Sequence, residues 1–290
     1  MGRVAFVGAG PGPVDLVTLR GARLLARADV VLVDALVDPA FRDLAPRALW
    51  IDVGKRGFRC STQQDVINAQ LVRHGREHGL VVRLKGGDPG IFGRLDEELA
   101  AVAAAGLECE VVPGITAALA AAADTRRPLT RRGQARSVSL STAMTRDGTL
   151  RSGHAAETEV FYMAGRQLAA LSRRLLAARW PASTPVSVVS RAGCPDTLSS
   201  THSIDTLAQA SMLHGGRPTV VVIGAGAQPI AGAARTDAAA HGAHLLLAAH
   251  HADLVDHRFV VCIAQVAEGW FVGGLLLCAS LVVSLGSSHG

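Results

Sequence analysis

Three glycine-bearing stretches carry the residue types from which a ligand site could be built. Val7-Gly8-Ala9-Gly10-Pro11-Gly12-Pro13 follows one apolar run. Arg83-Leu84-Lys85-Gly86-Gly87-Asp88-Pro89-Gly90-Ile91-Phe92-Gly93-Arg94 ends another, and Val111-Val112-Pro113-Gly114-Ile115-Thr116-Ala117-Ala118 a third. Glycine after a strand lets the main chain approach a ligand closely, and Asp88 sets a carboxylate beside that bare backbone. Asp34, closing a further apolar run, is a second carboxylate in the same kind of position. Together with the first stretch it imitates a dinucleotide fingerprint, in which an acid holds the ribose. The imitation is incomplete, because Pro13 stands at the third glycine and Pro11 has no N–H with which to grip a pyrophosphate.

These stretches need strands beneath them. Runs at 4–7, 30–33, 49–53, 81–84 and 109–112 are continuously apolar or β-branched, which predicts strands buried on both faces. Between them, Asp38-Pro39 predicts a capped helix start, and Ser61-Thr62-Gln63-Gln64 a capping box ahead of Ile67 and Leu71 on one helical face. Such alternation implies a parallel sheet with helices on both sides, and its carboxyl edge is where ligands of open α/β sheets bind. Three glycine-bearing loops on one edge predict one crevice. A second unit has strands expected at 137–140, 160–163, 186–189 and 219–223 and helices at 117–123, 166–179 and 204–213. Residues 145–158 are expected to form a loop. The fold class is therefore α/β, with α/β domains at 1–114 and 115–231 and a tail at 232–290.

Composition narrows the function. With 49% hydrophobic and 18% charged residues in 290, the chain is not intrinsically disordered. Basic residues number 29 against 24 acidic, net +5, without a block of like charges, so no nucleic-acid partner is expected. All but Lys55 and Lys85 of those basic residues are arginine, and both lysines lie in glycine-rich sequence. The five cysteines have no C-x-x-C spacing, which favours neither a disulfide scaffold nor a zinc ribbon. No charged-then-apolar leader precedes the first strand, so a cytoplasmic enzyme is the expectation. Six of the eleven histidines lie at 241–289, without a carboxylate–histidine framework, and no metal is expected. Residues 269–288 carry no charge and are long enough to span a bilayer, but Gly273, Gly274, Ser280 and Ser284 dilute them. A membrane contact through this tail is the less favoured reading.

Taken in order, the motifs resemble those of the tetrapyrrole methyltransferases from Val4 to about Gly224. The resemblance rests on Val-Gly-Ala-Gly-Pro-Gly at 7–12, Asp34, Val-Gly-Lys-Arg at 53–56, Val-Arg-Leu-Lys-Gly-Gly-Asp-Pro at 82–89 and Phe-Gly-Arg at 92–94. It continues through Val-Val-Pro-Gly-Ile-Thr-Ala-Ala at 111–118, Pro-Leu-Thr at 128–130 and Phe-Tyr-Met at 161–163. It implies two α/β domains with S-adenosylmethionine between them, converted to S-adenosylhomocysteine. The implied substrate is a small-molecule tetrapyrrole, uroporphyrinogen III, methylated on two ring carbons to precorrin-2 for sirohaem or cobalamin. A homodimer is also implied. Pro11, Gly86, Gly87, Asp88, Ile91, Thr116, Ala117, Met163 and Ala192 match donor-binding positions, and Asp34 and Lys55 match the proton acceptor and donor. Arg83, Arg94, Arg131 and Arg132 are candidates to meet the substrate's carboxylates.

The chain departs from the family's pattern at Leu95-Asp96, Asp124, Arg126-Arg127, Arg131 and Thr142-Ala143-Met144. Another tetrapyrrole methyltransferase, a degenerate donor-binding member and an NAD-linked oxidoreductase are the alternatives.

Overall fold

A computed structural model describes residues 2–54, 64–144 and 156–230. Among them ten strands make two sheets. The first is wholly parallel and holds β1 (Arg3–Gly8), β2 (Val30–Val33), β3 (Leu49–Asp52), β4 (Leu80–Lys85) and β5 (Glu108–Val112) in the order β3-β2-β4-β1-β5. Because strand side chains alternate, Ala5 and Val7 pack with Leu24, Leu25 and Phe41, while Val4 and Phe6 pack with Ile67, Leu71 and Val102. That places helix α1 (Leu19–Leu25) on one face and helices α2 (Gln64–Glu77) and α3 (Leu95–Ala104) on the other.

Two of the strands expected to be buried on both faces are not. β3 and β5 form the sheet's edges, and Leu49 and Val111 are exposed. An edge strand has one neighbour and overhangs the helical layers, so a short apolar run there does not imply burial.

The second sheet, with β6 (Val138–Thr142), β7 (Thr158–Tyr162), β8 (Pro185–Ser190), β9 (Leu198–Ser203) and β10 (Thr219–Gly224), is ordered β6-β7-β10-β8-β9 and mixed. Helix α4 (Ala117–Asp124) sets Ala118 and Ala121 against Val160, Tyr162 and Val189. Helix α5 (Leu168–Ala177) sets Leu168, Leu171 and Leu175 against Phe161, Val186 and Val188 on the opposite face. β9 has no counterpart in the sequence reading, since Leu-Ser-Ser-Thr-His-Ser lacks an apolar run. The helix expected over 204–213 is a 3-10 turn, Leu207–Ala210, leading into the short α6 (Ser211–His214).

Asp38 caps as expected, accepting from Ala40 N at 2.8 Å, but the element it opens is the 3-10 helix Pro39–Leu44. Thr158, expected in a loop, starts β7; the remainder of that loop at 145–155, together with Lys55, the capping residues Ser61 to Gln63 and the tail after 230, lies outside the described residues. Among the described residues no helix is long and apolar enough to cross a membrane.

The dinucleotide reading fails on this architecture. In that fold the first strand neighbours the second, whereas here β4 separates them. The Gly8–Gly12 loop enters a 3-10 turn, Val14–Leu16, and α1 starts only at Leu19 under a Thr18 cap, so the loop does not run straight into a helix N-terminus that could hold pyrophosphate.

Candidate functional site

β4, β1 and β5 are neighbours in the first sheet, so the three glycine-bearing loops leave it side by side. They are joined by the main chain. Gly10 N donates to Gly87 O at 3.2 Å, and Gly87 N returns a bond to Gly10 O at 2.7 Å. Both glycines have positive φ, 76° and 68°, which most side chains avoid. Gly8 and Gly114 are required for a different reason, closeness. A Cβ on Gly8 would lie 2.6 Å from Gly114 Cα, and one on Gly114 would lie 2.2 Å from Gly87 O.

Asp88 fastens the same junction. Its Oδ1 accepts from Gly90 N at 2.8 Å and its Oδ2 from Gly114 N at 2.9 Å, tying the loop after β4 to the loop after β5. Thr116, at the N-cap of α4, spends its hydroxyl on Tyr162 Oη at 2.8 Å rather than on the helix. The Tyr162 ring lies 5.1 Å from that of Phe92, and burial raises its phenol pKa above the ordinary value. Ile91 and Ala117 pack into the cluster that holds Val160, Tyr162 and Ala192. Thus Pro11, Gly87, Asp88, Ile91, Thr116, Ala117 and Ala192, named from sequence, gather where the first sheet's carboxyl edge meets the second sheet. Gly86 continues β4 into this junction, and Met163 follows β7 directly.

The second sheet contributes the loop after β8. Gly193 has φ 81°, and a Cβ there would sit 2.7 Å from Pro11 Cγ. Cys194 lies across Pro11 O at 3.8 Å and over Gly12. Asp124, one of the departures from the family's pattern, secures this loop: its Oδ2 accepts from Gly193 N at 2.6 Å and from Thr197 Oγ1 at 3.1 Å. Behind the loop, fully buried His214 bonds Ser190 through Nδ1 at 2.7 Å and Ser200 through Nε2 at 2.8 Å. Burial pulls its pKa down to about 4. Phe92, Arg94, Met163 and Arg191 all have positive φ without being glycine, and such backbone concentrates at functional sites.

Beside the crevice, on the α3 face, lies a charged cluster absent from the sequence reading. Arg83 and Lys85 project from one side of β4 onto Glu98 of α3, which accepts from Arg83 Nε at 3.0 Å and Lys85 Nζ at 2.8 Å. Arg83 also grips Asp34 at 2.5 Å. Glu98 is fully buried and Arg83 nearly so, while Asp34 keeps a third of its side chain in solvent. Burial would depress the Arg83 pKa, but Asp34 and Glu98 outweigh it and hold the guanidinium above its ordinary value. Burial and Arg83 together hold the Lys85 ammonium below its own.

The four arginine candidates are held in different ways. Arg83 is an interior partner of Asp34 and Glu98, Arg94 is held bidentately by Glu97 at 2.7 Å, and Arg131 donates to Gln228 O. Of the four candidates, Arg94 and Arg132 are exposed to solvent. The signal for the cluster was two cations spaced by two on a buried strand; Glu98 itself is indistinguishable in sequence from its exposed neighbour Glu97.

Comparison with known proteins agrees with this geometry. The family model of tetrapyrrole (corrin/porphyrin) methylases matches residues 3–208, and the chain belongs to that family. It is 46% identical over 198 residues to a uroporphyrinogen-III C-methyltransferase of Pseudomonas aeruginosa, covering 66% of this chain and 80% of that one. It is 44% identical over 231 residues to a siroheme synthase of Sodalis glossinidius, covering 77% of this chain but 48% of the relative, so the chain spans about half the length of that protein. Among solved structures, the uroporphyrin-III C-methyltransferase of Thermus thermophilus in complex with S-adenosyl homocysteine superposes with a TM-score of 0.68 at 35% identity, over 78% of this chain and 98% of that one.

Proposed function

We propose that the chain methylates uroporphyrinogen III on two ring carbons, giving precorrin-2 for sirohaem or cobalamin synthesis, with S-adenosylmethionine as donor. The observation carrying this reading is the convergence of three glycine-bearing loops with the Gly193 loop on one crevice, in a chain whose relatives are named for this reaction.

The residues present suit the donor. Gly8, Gly87 and Gly114 keep the junction free of side chains, and Asp88 holds its two loops in register. Pro11, Gly86, Gly87, Asp88, Ile91, Thr116, Ala117, Met163 and Ala192 are proposed to line it. The donor supplies a methyl group on an already activated sulfonium, so the protein's contribution is proximity and orientation. Attack by a pyrrole carbon builds positive charge on the macrocycle and then requires loss of a proton. Asp34, oriented by Arg83 yet open to solvent, is proposed to offset that charge and accept the proton. Lys55 is retained as the proposed proton donor. A homodimer in the cytoplasm belongs to the same proposal.

The test is the reaction itself. The full chain incubated with labelled S-adenosylmethionine and uroporphyrinogen III should return a tetrapyrrole heavier by two methyl groups. An unchanged tetrapyrrole from protein that binds S-adenosylhomocysteine would reduce the chain to a donor-binding member of the family.

A further inference from the structure

The carboxyl edge of the first sheet holds the crevice; the opposite edge carries a cluster that the methyl-transfer reading does not use. Where α2 runs out ahead of β4, His74, Glu77 and His78 are spaced three and four apart, which sets them on one helical face. His78 N still donates to His74 O at 2.9 Å, so the helical spacing extends to it. The imidazole rings stack at 5.6 Å between centroids, and His74 Nδ1 lies 3.9 Å from Glu77 Oε2. One ligand atom from each of the three lies within 4.8 Å of the others.

His74 is the informative member. It is 9% exposed, and its Nδ1 is buried with no hydrogen-bond partner. Buried polar atoms are nearly always paired, so an unpaired imidazole nitrogen beside a second histidine and a carboxylate is a ligand position waiting for a cation.

We propose that His74, Glu77 and His78 bind one zinc ion, with water completing the coordination. Two imidazoles and a carboxylate make a donor set suited to zinc. Ligands about 2.1 Å from a tetrahedral ion stand about 3.4 Å apart, so the cluster closes by small rotations of Glu77 and His78. Glu77 is half exposed and borders a surface groove lined by Asn68, Val72, Arg73 and Arg76, which gives the ion a way in. Arg73 Nε holds the other carboxylate oxygen, Oε1, at 3.1 Å and orients it as outer partners of metal ligands do. The ion would pin the end of α2 at the entry to β4. Its role is structural.

Competition for Zn2+ between the full chain and a chromophoric chelator tests this. Six of the eleven histidines lie at 241–289, so the comparison between variants decides, not the total bound. The wild-type chain should take up one equivalent more than His78→Ala, and Glu77→Gln should hold that equivalent at least tenfold more weakly. Zinc should raise the thermal midpoint of the wild type more than that of His78→Ala, while S-adenosylhomocysteine affinity stays the same in all three. No uptake, or uptake equal in number and affinity across the variants, overturns the proposal. Should His78→Ala lose S-adenosylhomocysteine binding through misfolding, the milder Glu77→Gln carries the comparison. Neither result bears on methyl transfer, so the two readings stand or fall separately.

Discussion

Half-buried Asp88 and fully buried Glu98 are both carboxylates close to the carboxyl end of β4, yet they are held in different ways. Asp88 accepts main-chain N–H groups from Gly90 and Gly114, so it fastens the loops through amides rather than through a side-chain cation. Glu98 is clamped between two buried cations, Arg83 and Lys85, and the first of these reaches on to Asp34. The first arrangement leaves a backbone cradle whose one carboxylate is held by amides, suited to a ligand that brings positive charge. The second fixes the orientation of one partly exposed carboxylate through a chain of interior charges. A single strand thus carries the binding side and the proposed proton-handling side of the reaction, built on separate principles.

The largest effect should come from the charged side. Glu98→Gln leaves Arg83 and Lys85 short of a counterion in the interior, and removing one partner of a buried pair costs about 3–5 kcal/mol. Urea unfolding should show that loss; a change below about 1 kcal/mol would mean that the cluster is better hydrated than its burial indicates. Next, Asp88→Ala should weaken S-adenosylhomocysteine binding by about 1–3 kcal/mol, because two loop amides lose their acceptor. Calorimetry checks it, and unchanged affinity would separate Asp88 from the cradle. Asp124→Ala should have a smaller effect, about 1 kcal/mol in the same titration, since it acts through the Gly193 loop rather than on the donor. Equal losses at the two aspartates would erase the distinction between cradle and support.

The smallest effect concerns His214. Its folded-state pKa, about 4, lies below the ordinary 6.5 of the unfolded chain. The unfolded state therefore binds more protons between these values, and stability should fall as pH drops from 6.5 toward 4. Replacing it by glutamine should flatten that slope. In proton NMR, an imidazole titrating near 6.5 would show instead that the ring is hydrated.

The contrast between the two carboxylates also explains what could be read from sequence. The strands of the first sheet and the three loops were legible because their determinants are local: apolar runs, glycines at tight junctions and an aspartate two residues from an amide that donates to it. Gly8, Gly10, Gly87 and Gly114 stand within the motifs that they shape. The charged cluster was not legible, because Asp34, Arg83 and Glu98 meet only after β2, β4 and α3 pack. Asp124 likewise reads as a departure from the family's pattern until the fold brings Gly193 to it. β9 was missed because an edge strand of serines and threonines relies on its pairing with β8 rather than on apolar alternation. Tyr162 lay inside a recognised motif, but its bond to Thr116 spans two sheets.

The central claim is that four separated segments form one donor site. Amide hydrogen exchange on the full chain, with and without S-adenosylhomocysteine, tests it most directly. Protection should rise together in residues 8–12, 86–92, 114–118 and 190–197, at ligand concentrations that saturate by calorimetry. Protection gained elsewhere, with these four segments unchanged, would contradict it.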